Sequence, residues 1–294
     1  MNFSIPTPDG FDFKRTLFSH GWYGLLPFEI SGSNTLVRVL DMSDAPPVTV
    51  KIKDDDGALS VSVPGRLNKS ERARVERDVR HIFRLDDVLN EFYERIKHDP
   101  DFGWIARDGA GRLLRSPTVY EDLVKSICTT NCSWSLTTKM VTELVSNLGR
   151  EAADGRRSFP TPEAMAAQPA RFYREVVRAG YRSEYLKELA DRVASGELDV
   201  ESWLASELPT AALRREMKRV KGVGDYAAEN LLKLVGRYDV LALDSWVRAT
   251  FARVRNRGRT CDDKKIARFY SRFKEWRGLA LWCDMTRDWL EEGK

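Results

Sequence analysis

The apolar positions of this 294-residue chain change their period once, near residue 70, and that switch limits the architectures open to it. Before it, residues 35–40 (TLVRVL), 48–53 and 58–63 alternate apolar and polar side chains, and Asp54-Asp55-Asp56-Gly57 supplies a hairpin turn between the last two. Period two puts every other side chain on one side of a sheet, which predicts an antiparallel sheet with one face on the core and one face wet. From Ser70 onward apolar residues recur every three or four positions, as in Leu85, Val88, Leu89, Phe92 and Ile96, the stripe of a helix. Strands first and helices after define an α+β chain, divided into an antiparallel sheet domain over 1–80 and an all-helical domain over 81–294.

Within the helical part, Leu123 and Ile127, then Leu136, Met140, Leu144 and Leu148, mark two helices interrupted over 129–133, with Gly149 closing the second. A loop over 158–163 leads to a further helix, for which Thr161 or Pro162 suits the first positions. At 42% hydrophobic and 31% charged the chain builds a core, which excludes a disordered tail or a fibrous repeat. No apolar run approaches the roughly 18 residues that span a bilayer. The polar opening decapeptide, with Pro6 and Pro8, has no basic-then-apolar leader pattern. The expected setting is therefore intracellular: cytoplasmic, and nucleoid-associated in a bacterium, with no membrane partner. Cysteines at 128, 132, 261 and 283 and histidines at 20, 81 and 98 match no zinc spacing, so neither a metal nor another cofactor is expected.

The net charge of +4 alone says little about partners. Between Arg248 and Arg277, however, eleven basic side chains face three acidic ones, a surplus suited either to a polyanion or to a solvated helix surface. The stretch before it carries more. Leu213, Met217 and Val220 line a helix that Thr210 can begin and that stops at Lys221-Gly222-Val223-Gly224; Ala227, Ala228, Leu231, Leu232 and Val235 line the next. Two amphipathic helices joined by a glycine turn form a helix-hairpin-helix over 210–236. At Gly222, Val223 and Gly224 the backbone can approach a ligand closely, and the free N–H groups opening the second helix suit a DNA phosphate, a contact that reads no sequence. Nineteen glycines yield roughly one Gly-x-Gly by chance, and Gly109-Ala110-Gly111, without paired helices around it, reads as an ordinary turn.

An apolar run over 240–243 then ends in Asp244, ahead of a helix carrying Val247, Phe251 and Val254. Asp244 is suited to cap that helix. Placed 22 positions past Gly222, it is equally suited to face a nucleotide whose phosphate the hairpin grips.

Here the chain resembles the helix-hairpin-helix (HhH-GPD) DNA glycosylase superfamily, through residues 220–228 (VKGVGDYAA) and 243–246 (LDSW). Residues 83–86, 112–117, 126–131 and 180–182, with the sheet-first order, look like the corresponding stretches of 8-oxoguanine glycosylases and 3-methyladenine glycosylase II. The resemblance implies a two-subdomain helical glycosylase fold behind the sheet, acting as a monomer on double-stranded DNA with a damaged base. It implies a catalytic role for Asp244 and DNA contacts from Gly222, Val223, Gly224, Asn131, Arg182 and Arg248.

Departures from the family pattern narrow the reaction. Bifunctional members carry a nucleophilic lysine at the place held here by Tyr226, while Lys233 lies about 10 Å further along the helix and reads as a poor substitute. The implied enzyme is monofunctional, with water as the nucleophile. Leu136 stands where 8-oxoguanine enzymes have an arginine for the opposing cytosine, and the four-cysteine iron–sulfur cluster of endonuclease III relatives is missing. An alkylated purine is the expected base. Tyr226, Trp246, Trp134 and Trp22 are candidates to stack on it once extruded, though each aromatic is equally suited to a core. Ser19-His20-Gly21-Trp22 reads as a pocket-lining segment or as a turn beside the core. Two other readings stand beside this one: an 8-oxoguanine glycosylase/lyase using an unexpected amine, and a non-catalytic helix-hairpin-helix DNA-binding protein in which Asp244 only caps.

Overall fold

In the computed structural model, which describes residues 1–32 and 34–289, five antiparallel strands are followed by helices. The strands are β1 (Asn2–Pro6), β2 (Phe28–Ser31), β3 (Thr35–Met42), β4 (Ala45–Asp54) and β5 (Ala58–Ser62), ordered β1-β5-β4-β3-β2. Strands β3 to β5 are those the alternation predicts. β1 and β2 are additions: five and four residues long, they sit at the two edges, and Pro6 ends β1 where no ladder donor is required.

The sheet departs from the one-wet-face expectation. Alternation holds in β5, where Leu59 and Val61 are buried between half-buried neighbours, but all of β3 except Asp41 is buried. Leu36 and Leu40 join the main core on one side, while Val37 and Val39 face the other. The loop over 149–158 covers that second side. Arg150 reaches Asp41 and the Ala45 carbonyl, Asp154 accepts from Thr49 Oγ1 at 2.9 Å, and Arg156 pairs with Glu29.

The helices are α1 (Phe13–Leu17), α2 (Lys69–Phe83), α3 (Asn90–Ile96), α4 (Gly103–Arg107), α5 (Val119–Thr129), α6 (Trp134–Leu148), α7 (Pro162–Ala166), α8 (Ala170–Glu175), α9 (Arg182–Ala194), α10 (Thr210–Met217), α11 (Asp225–Leu234), α12 (Ser245–Arg255), α13 (Asp263–Tyr270) and α14 (Arg277–Met285). Caps set several boundaries: Asn68 and Glu71 form a capping box on α2, Ser133 caps α6, and Thr161 caps α7 with Pro162 in its first turn. Thr210 is the first helical residue of α10 rather than its cap; Pro209 takes the cap position. The stripe expected through Leu85 to Ile96 is not one helix: Arg84, with φ of 56°, ends α2, α3 begins only at Asn90, and Val88 between them is left exposed. Helix α2 runs across the boundary drawn at residue 80 and packs on β3.

A buried triad ties the sheet to the helices. Arg38 of β3 donates to both oxygens of Glu121 on α5, and Lys125 one turn later pairs with the same carboxylate at 2.7 Å. All three side chains are almost wholly buried, so removing one partner would strand a charge, a loss of about 3–5 kcal/mol. Helix α5, whose C-terminal end reaches the functional site, is thereby fixed to the sheet.

Candidate active site and DNA groove

Helices α10 and α11 pack through Leu213, Met217, Val220 and Val223 against Ala227, Ala228 and Leu231, all buried. Gly222 turns the chain with φ at +87°, and a Cβ there would lie 2.8 Å from the Tyr185 ring. Gly224 is different: its φ is −83°, and a Cβ there would meet nothing within 4 Å. Asp225, in the first turn of α11, is neutralised by Arg214 and Lys218. The hairpin walls a groove of about 790 Å³ whose other walls are Thr129 to Cys132, Tyr181, Asp244, Ser245 and Arg248. Lys218 and Lys221 also line it, cations that the glycine pattern did not single out.

Asp244 is the N-cap of α12, its Oδ1 accepting from Val247 N–H at 2.6 Å. The capping expectation and the groove-facing expectation are both met, because the carboxylate lines the groove as well. It also lines a second cavity of about 500 Å³ behind it, shared with Thr129, Cys132, Tyr226 and Ala227. The half-buried carboxylate thus sits on the boundary between a strand-sized groove and a pocket in the size range of ligand sites, about 300–1,000 Å³.

The pocket is walled by aromatics from four regions of the chain. Tyr226 and Trp246 are 37% and 38% exposed, and Trp134 is 46% exposed, values far above those of core aromatics. Trp246 packs on Trp282 and Trp289 at 5.9 and 5.5 Å between ring centroids, and these two tryptophans extend the aromatic wall beyond the predicted set. Trp134 stands over Gly21 so closely that a Cβ on Gly21 would lie 2.5 Å from its ring. Trp22 is buried, its Nε1 donating to Asp122 Oδ1 at 2.7 Å, so it shapes the wall from behind. His20 bonds the Leu114 carbonyl, and burial pulls its imidazole down to about 3, which keeps it neutral. Burial pushes Asp122 up to about 6, against the bonds from Ser116 and Trp22.

Lys233 reaches nearer the site than its rise along the helix suggests. Its axial distance from Tyr226 reads it as a poor substitute for a nucleophile at that place, and its side chain nonetheless lines the same pocket as Asp244, with Nζ 3.9 Å from the centre of the Trp282 ring. A lysine stem spans more than one helical turn, so rise per residue understates its reach. Burial lowers its ammonium to about 7, against the opposing pull of Asp244 and Glu229.

The loop between α5 and α6 faces the hairpin across the groove. Asn131 at its tip adopts φ of +47°, is exposed, and reaches Tyr181 Oη at 3.4 Å. Arg182, expected to touch DNA, is instead 4% exposed; its guanidinium donates to Thr130 Oγ1 at 3.2 Å and to the Thr130 carbonyl, so it holds the loop from inside. Arg248 lines the groove and is paired with Asp263 at 2.7 Å. It is the one member of the basic run that does so among the described residues. Arg255 is tied to Asp284 and Asp101, Arg272 to Asp99, and Arg277 to the Asp239 carbonyl, so much of that charge clamps the C-terminal helices.

The far end of α11 explains two segments noted earlier. Arg84 donates to the carbonyls of Lys233 and Leu234 at 3.1 and 3.0 Å, and Arg115 reaches Leu234 and His81 carbonyls. Two arginines thus satisfy the orphan acceptors at the negative end of the helix whose other end lines the groove.

The pattern for the HhH-GPD superfamily base excision DNA repair protein matches residues 124–275, which hold the loop, hairpin, Asp244 and, of the aromatic wall, Trp134, Tyr226 and Trp246. The chain belongs to this superfamily, a base excision repair glycosylase family. Among curated proteins it is similar to an N-glycosylase/DNA lyase of Saccharomyces cerevisiae, 29% identical over 123 residues, covering 40% of this chain and 32% of that protein. It is also similar to a DNA-3-methyladenine glycosylase of Bacillus subtilis, 24% identical over 220 residues and 72% of each chain. The chain therefore spans about a third of the yeast relative's length. In fold it is similar to the 3-methyladenine DNA-glycosylase of Archaeoglobus fulgidus (TM-score 0.76, 21% identity, covering 98% of this chain and 99% of that one). The Clostridium acetobutylicum 8-oxoguanine glycosylase/lyase gives a TM-score of 0.74 at 19% identity, with 96% and 94% covered.

Proposed function

We propose that the protein is a monofunctional DNA N-glycosylase that extrudes a damaged purine, an alkylated one by preference, and hydrolyses its glycosidic bond to leave an abasic site. One observation carries this reading: Asp244 stands where the groove beside the hairpin opens into the aromatic pocket. A strand in the groove would put its sugar against that carboxylate while the base enters the pocket. Extrusion costs a few kcal/mol and is easiest where pairing is already weakened. Asn131, at the tip of a loop pinned by Arg182, is placed to enter the gap left behind.

As the bond to the base breaks, positive charge develops on the sugar, and a carboxylate fixed by its capping bond stabilises it without reorganising. The same group can orient the attacking water. An N-alkylated purine carries positive charge, which faces of Tyr226, Trp246 and Trp282 attract and which makes the base a good leaving group. The Bacillus relative's name supports this substrate class.

The test is a panel of duplexes each bearing one lesion, incubated with protein and then treated with alkali to reveal abasic sites. Asp244→Asn separates catalysis from capping, because asparagine caps as well as aspartate. Base release that continues unchanged in this variant would take the catalytic role away from Asp244, whereas a wild-type protein that releases no base from any lesion would be left as a DNA-binding protein only. The glycosylase/lyase reading has one observation in its favour, the Lys233 amine inside the pocket. Borohydride trapping on a damaged duplex decides it: a covalent adduct would refute the monofunctional assignment.

A further inference from the structure

Lys233 is the pocket residue that the hydrolytic mechanism leaves without work. Its side chain is 3% exposed, yet Nζ has no hydrogen-bond or ion-pair partner among the described residues; its near neighbours are the face of Trp282 and the pocket itself. Other buried cations of the chain are paired or hydrogen-bonded: Arg38 and Lys125 with Glu121, Arg84 with Asp87 and two carbonyls. A buried amine without a partner, facing a cavity open to ligand, is disfavoured unless the ligand or a change of charge compensates it.

Resting on the glycosylase reading, we propose that Lys233 is a specificity-determining residue that reads the charge of the extruded base. As an ammonium it repels a cationic alkylpurine and donates to an acceptor atom of a neutral one; as an uncharged amine it lets the cation in.

The surroundings make both states reachable. Asp244 at the start of α12 and Glu229 on α11 favour the charged form, and the Cys283 thiol of α14 is pushed up to about 12 by burial and stays protonated. His20, from the segment before β2, is neutral, and Arg84 meets the carbonyl end of α11. Burial outweighs these pulls and brings the amine to about 7. A cation bound over Trp282 competes with the Lys233 ammonium for the same ring face, so the two charges exclude one another.

The experiment measures binding, so it does not depend on hydrolysis. Duplexes carry a 2′-fluorinated, uncleavable 7-methyladenine, which is cationic, or the matching hypoxanthine, which is neutral between pH 6 and 8. For the wild-type protein the ratio of affinities, cationic over neutral, is expected to rise roughly tenfold from pH 6 to pH 8, following the amine's titration. In Lys233→Met the ratio is flat and high; in Lys233→Arg it is flat and low. A flat wild-type ratio, or a pH dependence that persists in either variant, overturns the proposal. If one variant fails a thermal-melting check, the other decides. Absence of base release by the wild-type protein from every lesion of the panel would instead sink the glycosylase reading while leaving this ratio measurable.

Discussion

The chain contains two Gly-x-Gly turns, and they differ in what forbids a side chain. At Gly109 φ is +63°, and a Cβ would run into the Gly10 carbonyl; Gly111, at φ of +117°, lies against Leu279, Leu89 and Phe92. That turn is glycine because both residues take a left-handed φ and the protein's own backbone fills the space at Gly109. At Gly222 the reason is again internal, a positive φ and the Tyr185 ring, but at Gly224 neither backbone conformation nor any neighbour demands it. A glycine that the fold does not need, opening a helix beside a groove, leaves room for something from outside. The motif alone does not separate the two; the occupant of the missing Cβ's space does.

Perturbing each side of this contrast should give different readouts. The largest effect is expected on the groove side at Asp244→Asn, where base release falls about a thousandfold or more in single-turnover assays with duplex affinity within about threefold. A parallel fall in affinity would make Asp244 a binding residue only. On the fold side, Gly109→Ala combines left-handed strain with a collision against backbone, and should lower stability by about 3 kcal/mol in denaturant titration. An unchanged melting curve would remove the distinction between the turns.

Acid should also strike the fold side. His81 is half-buried, with Nε2 shielded from solvent and unbonded among the described residues, and burial lowers its imidazole to about 3, while the unfolded chain protonates near 6.5. Its contribution is therefore fully present above pH 6.5 and is lost as pH falls toward 3. His81→Leu should remove about 2 kcal/mol of the stability difference between pH 7 and pH 5, as read from chemical denaturation at both. Gly224→Ala should change stability by less than about 1 kcal/mol yet weaken duplex binding roughly tenfold. Arg248→Ala is the mildest: a few-fold loss of affinity at low salt and a salt slope lower by about one phosphate. A slope lowered by clearly more than one phosphate would mean that Asp263, freed of its partner, adds its own repulsion.

Much of this site was legible from residue spacing, and the failures share a cause. Asp244, Tyr226, Trp246 and the hairpin lie within one stretch of about 25 residues, so local pattern sufficed to bring them together. Trp134 and Trp22 come from distant segments and were reached through aromatic chemistry and the resemblance; Trp282 and Trp289, equally distant, were missed. That Lys233 enters the pocket was not legible because helical rise locates a Cα and not the end of a long side chain. Arg182 was misassigned because an arginine beside a loop reads the same whether it faces out or in. The edge strands β1 and β2 are too short for alternation to show, and the second covering of β3 depends on a loop more than a hundred residues away.

Helix α11 has one end against the groove and the other locked by Arg84 and Arg115. Those two arginines govern how far the helix can slide or tilt, and with it the register between hairpin, Tyr226 and Lys233. A genetic screen for inactive alleles should accordingly recover positions 84 and 115 beside 244, and a mutational atlas would colour as critical two residues that never meet the nucleic acid.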